Sequence, residues 1–275
     1  MYPPEQKSYF ESAIPLVLII ILAVFIAGKF GFVDLHAIPV VGSLFPAPAI
    51  KVVVIGKASP QLKDILTTEE ARQIGINLMD PSMKQETVYP GLLNNYDILI
   101  LQAYQGEGVF CDRIARKVIA DRVKGGAKLI LIGDACTRVH EDASAVGWDV
   151  GIGLLGDVIP LIIGGVTREK ELIQPYYAEG KFKIVSDHPI FSGLKNYYFS
   201  GTVTDVIPKG NAQVLAFLDV GSSQVTSPAK YAILESTGLV AGKVVYFAFD
   251  PGTTGSTGGR NLFLNTIVYL KGTKG

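Results

Sequence analysis

The sequence is short of charge. Asp, Glu, Lys and Arg make up 18% of it, against about 25% in an ordinary soluble domain. Its 25 basic residues equal its 25 acidic ones. With no basic excess to neutralise phosphates, nucleic acid is excluded as an expected partner. Cysteine and histidine are scarce as well, at two and three residues. No Cys-x-x-Cys and no Cys/His ligand spacing suggests zinc. The Gly/Thr/Ser-rich run Gly252–Arg260 precedes a helix, as an anion cradle would. It lacks a P-loop lysine and a Gly-x-Gly-x-x-Gly pattern, and it reads as a surface loop. No metal or cofactor is expected. Internal repeats and low-complexity tracts are absent.

One feature is in excess. Ala13 to Gly28 carries no charge, Lys29 follows, and apolar residues resume through Val33. A bilayer-spanning helix needs roughly 20 mostly apolar residues. Residues 13–33 are therefore expected to form a single transmembrane helix in membrane lipid. Lys29 would snorkel to the interface, and Pro15 is tolerated near the start. A buried core helix is the alternative, but globular helices rarely run so far without a polar face. A cleaved signal peptide fits less well, because Glu5 and Glu11 flank Lys7. Residues 1–12 then form a short tail. Residues 34–49, which hold Pro39, Pro46 and Pro48, form a semi-rigid linker with His36 standing alone in it. Lys7 and Lys29 leave the orientation balanced. The low charge of the large domain favours a location outside the cytoplasm, with other membrane or surface proteins as partners.

Residues 50–275 read as one α/β domain. "AIKVVVIG" from Ala49, "YDILILQ" from Tyr96 and "AKLILIGDACT" from Ala127 are apolar throughout, as buried parallel strands are. "TTEEARQIGINLM" carries a capping box, Thr67 with Glu70, and helical spacing after it. "DRIARKVIADRVKGG" has Asp112 as an N-cap and ends at Gly125. Strand, helix and strand of these lengths make a right-handed βαβ unit and a parallel sheet. Shorter β-rich pieces follow, among them "KFKIVS", "FSGTVTDVIP", "AQVLAFL", "KYAILES" and "GKVVYFAF". The helix "RNLFLNTIVYLKG" comes last.

Three local matches together resemble the class I glutamine amidotransferase-like superfamily. They are "GGAKLILIGDACT", "SDHPIFSGL" from Ser186, and "GKVVYFAFDPG…NLFLNTIVYL". The second resembles a segment of the superfamily's poorly characterised, non-amidotransferase members. The resemblance implies a flavodoxin-like three-layer sandwich with a mostly parallel sheet. It also implies where a catalytic triad would stand. A cysteine belongs on a Gly-x-Cys-x-Gly elbow, and here Gly133 is followed by Ala135 at the third position. Cys136 comes one place later, so its thiol is expected to point away from the elbow tip. A histidine and a glutamate belong on a terminal Phe-His-Pro-Glu, and here Phe249, Asp250, Pro251 and Gly252 stand instead. A thiol without a base is mostly protonated at neutral pH.

Other residues at the carboxyl edge could rebuild a site. If the domain is active, Cys136, His140 and Asp250 are the catalytic set. Asp134, Thr137, Asp250 and Thr253 are candidate ligand-binding residues, since ligands of open α/β folds collect there. The two aspartates could equally cap turns or helix starts. Cys111 and Cys136 follow adjacent strands at the same edge. They are either unpaired or joined in a disulfide closing a loop of about 25 residues. His188 reads as a turn residue and Trp148 as a core or lid anchor. The leading expectation is a membrane-anchored, non-catalytic binding or scaffold module. The first alternative is a hydrolase of a small amide or sugar-derived substrate. The second is a filament or surface-layer subunit packed through its apolar N-terminal helix.

Overall fold

A computed structural model describes residues 49–150, 155–163, 176–194, 197–220, 229–239, 242–253 and 257–272, with positions 15, 18–20, 22 and 23 of the apolar run. Contacts divide the chain into two compact units, Met1–Pro48 and Ala49–Gly275. In the first, the described positions are helical and exposed. Most of the transmembrane helix expected at 13–33 lies outside the described residues, as do the tail and nearly all of the linker. Among the described residues no helix is long and apolar enough to cross a membrane. The expected membrane localisation, with the domain outside the cytoplasm, is corrected on that finding.

The second unit is built on a nine-stranded sheet. Its first strand, β1 (Ile50–Gly56), buries Val52 through Ile55 almost completely, as a β-branched run covered on both faces must. Helices α1 (Pro60–Thr67) and α2 (Glu69–Gln73) follow, then β2 (Ile76–Met83) and β3 (Ile98–Gln102). Next come α3 (Arg113–Lys124) and β4 (Lys128–Ile132). The chain continues through β5 (Tyr176–Ile184), β6 (Tyr198–Val203), β7 (Ala212–Val220) and β8 (Ala229–Ser236). It closes with β9 (Lys243–Phe247) and α4 (Thr257–Gly272). The spatial order is β6-β5-β7-β8-β9-β4-β3-β1-β2.

The sheet is mixed, which corrects the mostly parallel expectation. Strands β2, β1, β3, β4 and β9 run parallel, in the flavodoxin-like order. Strands β8, β7, β5 and β6 extend it antiparallel. This extension curls back on the parallel half. Val203 at the end of β6 bridges Phe249 just beyond β9, and the Thr204 N–H donates to the Ala248 carbonyl at 2.7 Å. Aromatic rings fill the curl. Phe249 packs on Phe182 and Phe199 with centroids 5.1 and 4.8 Å away.

Two local readings shift. The capping residue is Thr68, one place after the expected Thr67, and its hydroxyl accepts from the Ala71 N–H. Thr67 instead donates to the Lys63 and Asp64 carbonyls, and Glu70 pairs with Arg260. Helix α2 stops at Gln73, and Ile76 onward is an edge strand rather than helix. Asp112 does occupy the N-cap of α3, but its side chain makes no capping bond. The Glu141 carboxylate accepts from the Arg113 N–H at 3.1 Å in its place.

Candidate functional site

The carboxyl ends of β1 and β3 form the switch point where open α/β sheets receive ligands. Here the backbone itself occupies that point. A Cβ on Gly56 would lie 2.3 Å from the Gln102 carbonyl oxygen, and one on Gly108 would lie 2.5 Å from the same atom. Only glycine permits such an approach, and both residues have positive φ. The loops after β1 and β3 therefore close on each other.

Asp250 joins the closure from the end of β9. Its carboxylate accepts from the Gln102 side-chain amide at 2.8 Å and from the Gly252 N–H at 2.8 Å, and it also takes a hydrogen bond from Ser59. Gln102 in turn accepts from the Ser59 N–H at 3.0 Å. The Ser59 hydroxyl caps α1 by accepting from the Leu62 N–H. Gly252 fits because a Cβ there would stand 2.7 Å from that same Leu62 nitrogen. Burial raises the Asp250 pKa above the usual carboxylate range, against the pull of Ser59, Gly252 and Gln102.

The turn after β4 holds the expected elbow. The Gly133 N–H donates to the Phe247 carbonyl at 2.8 Å, and Gly133 has φ +61°. Cys136 has φ +55°, whereas Ala135 is not among the positive-φ residues. The strained residue of the turn is thus Cys136 itself, one place later than the sequence reading put it. Strain of this kind at a non-glycine residue persists only where the surroundings enforce it. Several groups do so. The Cys136 N–H donates to the Gly108 carbonyl at 2.9 Å, and the Trp148 indole N–H donates to the Ala135 carbonyl at 2.9 Å. The buried Arg116 guanidinium donates to the carbonyls of Cys136, Gly147 and Val150. Burial lowers the Arg116 pKa to about 10, with Asp149 and Glu141 opposing, so it stays charged at neutral pH. Cys136 is joined to Cys111, with Cα atoms 5.0 Å apart, and both are fully buried.

The remaining predicted residues are dispersed. His140 is exposed and stacks on Phe110 at 5.2 Å. Thr137 is buried and donates to the Asp134 carbonyl at 2.7 Å. Thr253 donates to the Asp250 carbonyl at 2.9 Å. Burial raises the Asp134 pKa, against the pull of its own N–H and the charge of Arg138. The structure joins Asp250 to Ser59 and Gln102, and Cys136 to Cys111. Among the described residues it makes no hydrogen bond between His140 and either Cys136 or Asp250, and no group of three or more His, Cys, Asp or Glu could hold a metal.

A second polar cluster escaped the sequence reading. Glu235 is buried at the end of β8. It accepts from Tyr269 at 2.7 Å and pairs with Lys243 at 3.0 Å and His188 at 3.4 Å. Burial opposes its ionisation, but these three partners outweigh it and hold its pKa below the usual range. His188 also accepts from the Ile190 N–H at 3.4 Å. The cluster ties the Ser186–Leu194 segment to β8, β9 and α4. The only signal for it in the sequence was the "DHPI" turn.

Neither a protein family nor a curated protein matches the sequence. Solved structures do match. A cytoplasmic protein from Salmonella typhimurium is similar at 14% identity and a TM-score of 0.52, over 80% of this chain and 98% of that one. A ThuA-like protein from Bacteroides uniformis is similar at 11% identity and 0.54, over 84% and 94%. A cold-adapted β-galactosidase from Rahnella is similar at 13% identity and 0.55, over 86% of this chain but only 34% of that one. At such identities the likeness shows the fold alone. It is an α/β fold with a large mixed sheet.

Proposed function

We propose that this chain is a non-catalytic amidotransferase-like domain that serves as a binding or scaffold module. The observation that carries the reading is the engagement of Asp250. It stands where the resemblance puts the catalytic histidine, and Ser59, Gln102 and Gly252 all donate to it. A carboxylate so occupied acts as a latch between the ends of β9, β3 and β1, and it offers no base to a thiol. The bond from Cys136 to Cys111 supports the same reading, because the sulfur at the strained turn is already consumed.

A hydrolase reading requires Cys136, His140 and Asp250 to act together. The stacking of exposed His140 on Phe110 gives that arrangement no support. A filament packed through residues 13–33 concerns positions mostly outside the described residues. The test is hydrolysis of glutamine and of small activated esters by the full chain, before and after reduction. No turnover is expected in either state, nor from Asp250→His. Turnover that disappears in Cys136→Ala would overturn the proposal.

A further inference from the structure

We propose that the solvent-facing side of the β5–β6 ribbon binds a neutral carbohydrate. The proposal rests on reading the chain as a binding module and adds the chemistry of its ligand.

Alternation along the two strands sets two unlike faces. Ala178, Gly180, Phe199 and Val203 turn inward toward the aromatic core. Tyr177, Glu179 and Lys181 of β5 turn outward, directly opposite Thr202, Ser200 and Tyr198 of β6. Tyr177 and Tyr198 are 62% and 54% exposed, although nothing in strand formation requires an aromatic ring in water.

These side chains are held rather than loose. The Tyr177 hydroxyl donates to one oxygen of Glu179 at 2.6 Å and is bonded to the Ser200 hydroxyl. The Tyr198 hydroxyl lies 3.4 Å from the other Glu179 oxygen. One carboxylate is thus fixed between two phenols while the ring faces stay open. Side chains ordered before a ligand arrives lose little further freedom on binding.

The chemistry of the face selects its ligand. Lys181 and Lys183 of β5 are balanced by Glu179 and by Asp219, which lies opposite Lys181 on β7, so neither a polyanion nor a polycation is favoured. No aliphatic side chain lies among the six outward residues, so the two tyrosine rings are the apolar surface these six offer. What remains is ring faces beside an ordered row of hydroxyl, carboxylate and ammonium groups. A pyranose presents the matching surface, with C–H groups on its face and hydroxyls around its rim. The rings would take the C–H face. The carboxylate would accept from vicinal hydroxyls, and Lys181 would donate to sugar oxygens. Tyr177 and Lys181 are four residues apart on β5, and Tyr198 lies opposite Lys181. The backbone positions of the two tyrosines are therefore about 14 Å apart along the ribbon by strand rise, and both side chains lean in toward Glu179, so the face accommodates a short oligosaccharide.

The test is affinity electrophoresis of the full chain in gels containing soluble galactan, mannan, xylan or β-glucan, with dextran sulfate as the anionic control. Retardation by at least one neutral polysaccharide is expected. Tyr177→Ala with Tyr198→Ala should weaken it about tenfold at an unchanged melting temperature. Should the double variant melt early, Tyr198→Ala alone serves, because its hydroxyl makes only the longest of these bonds. No retardation, retardation by dextran sulfate alone, or retardation that both variants keep would overturn the proposal. So would a copurifying protein lost with the tyrosines when no sugar binds. Release of reducing ends from a retained polysaccharide would instead defeat the non-catalytic reading and leave the binding face standing.

Discussion

At the carboxyl edge of the parallel strands, Asp250, Gln102 and Ser59 bond to one another, and glycines let the loops press together over the switch point. On the outer side of β5 and β6, the polar groups also bond to one another, yet the rings beside them face water. The first arrangement uses hydrogen bonds to close a site. The second uses them to hold a surface open. The fold supplies both places, and the difference lies in what covers them. A fold of this class therefore says little about where a ligand sits until each polar group has been traced to its partner.

The largest expected effect at the closed edge comes from the cysteine pair, whose residues are 25 apart in sequence. Replacing both with alanine should cost about 3 kcal/mol by loop-closure entropy. That is a fall in melting temperature of about 6–12 °C for a domain of this size, measurable by calorimetry. A change below about 2 °C would mean the pair does not hold the turn.

Next is Glu235, at the opposite end of β9. Glu235→Gln should cost about 2–3 kcal/mol, less than a fully buried pair because Lys243 is partly exposed. The native pKa of Glu235 is lowered. Its contribution is therefore present above the unfolded carboxylate value and is lost as pH falls through the native one. Urea midpoints of wild type and variant should converge in acid.

Asp250→Asn should cost about 1–2 kcal/mol, since an amide nitrogen would face groups that now donate to a carboxylate. Its pH signature has the opposite sign. The native pKa is raised, so wild type binds more protons folded than unfolded. Stability falls as pH rises from the ordinary carboxylate value to the native one, and the variant should flatten that fall. Asp134 has a raised pKa for the same first reason, burial, but takes no donor from another described residue. Asp134→Asn should therefore change stability by no more than about 0.5 kcal/mol while flattening the same window. Equal costs at the two aspartates would erase the distinction between latch and bystander.

Apolar runs gave away β1, β3, β4 and β9, because burial on both faces leaves no polar alternation to confuse the pattern. Strand β2 was hidden. It follows a five-residue helix with one residue at its C-cap and one glycine between, and it carries Asp80 and Pro81 as an edge strand does. Sequence spacing puts the elbow at Ala135, one residue early, because spacing does not reveal which residue takes positive φ. Gln102 is 148 residues from Asp250, and nothing local to either predicts the bond. The alternation of Tyr177, Glu179 and Lys181 was readable, but its register with β6 was not, and register is what brings two tyrosines to one carboxylate.

The central claim is that the sulfur at the strained turn does no chemistry. It is tested most directly by mapping iodoacetamide labelling of Cys136 by mass spectrometry at neutral pH, in native protein with and without prior reduction. Cys136 should remain unlabelled before reduction. After reduction it should react no faster than a small-molecule thiol, because no base faces it. Labelling of unreduced protein, or a reduced Cys136 that outpaces the free thiol, would contradict the account and return this turn to the enzymes.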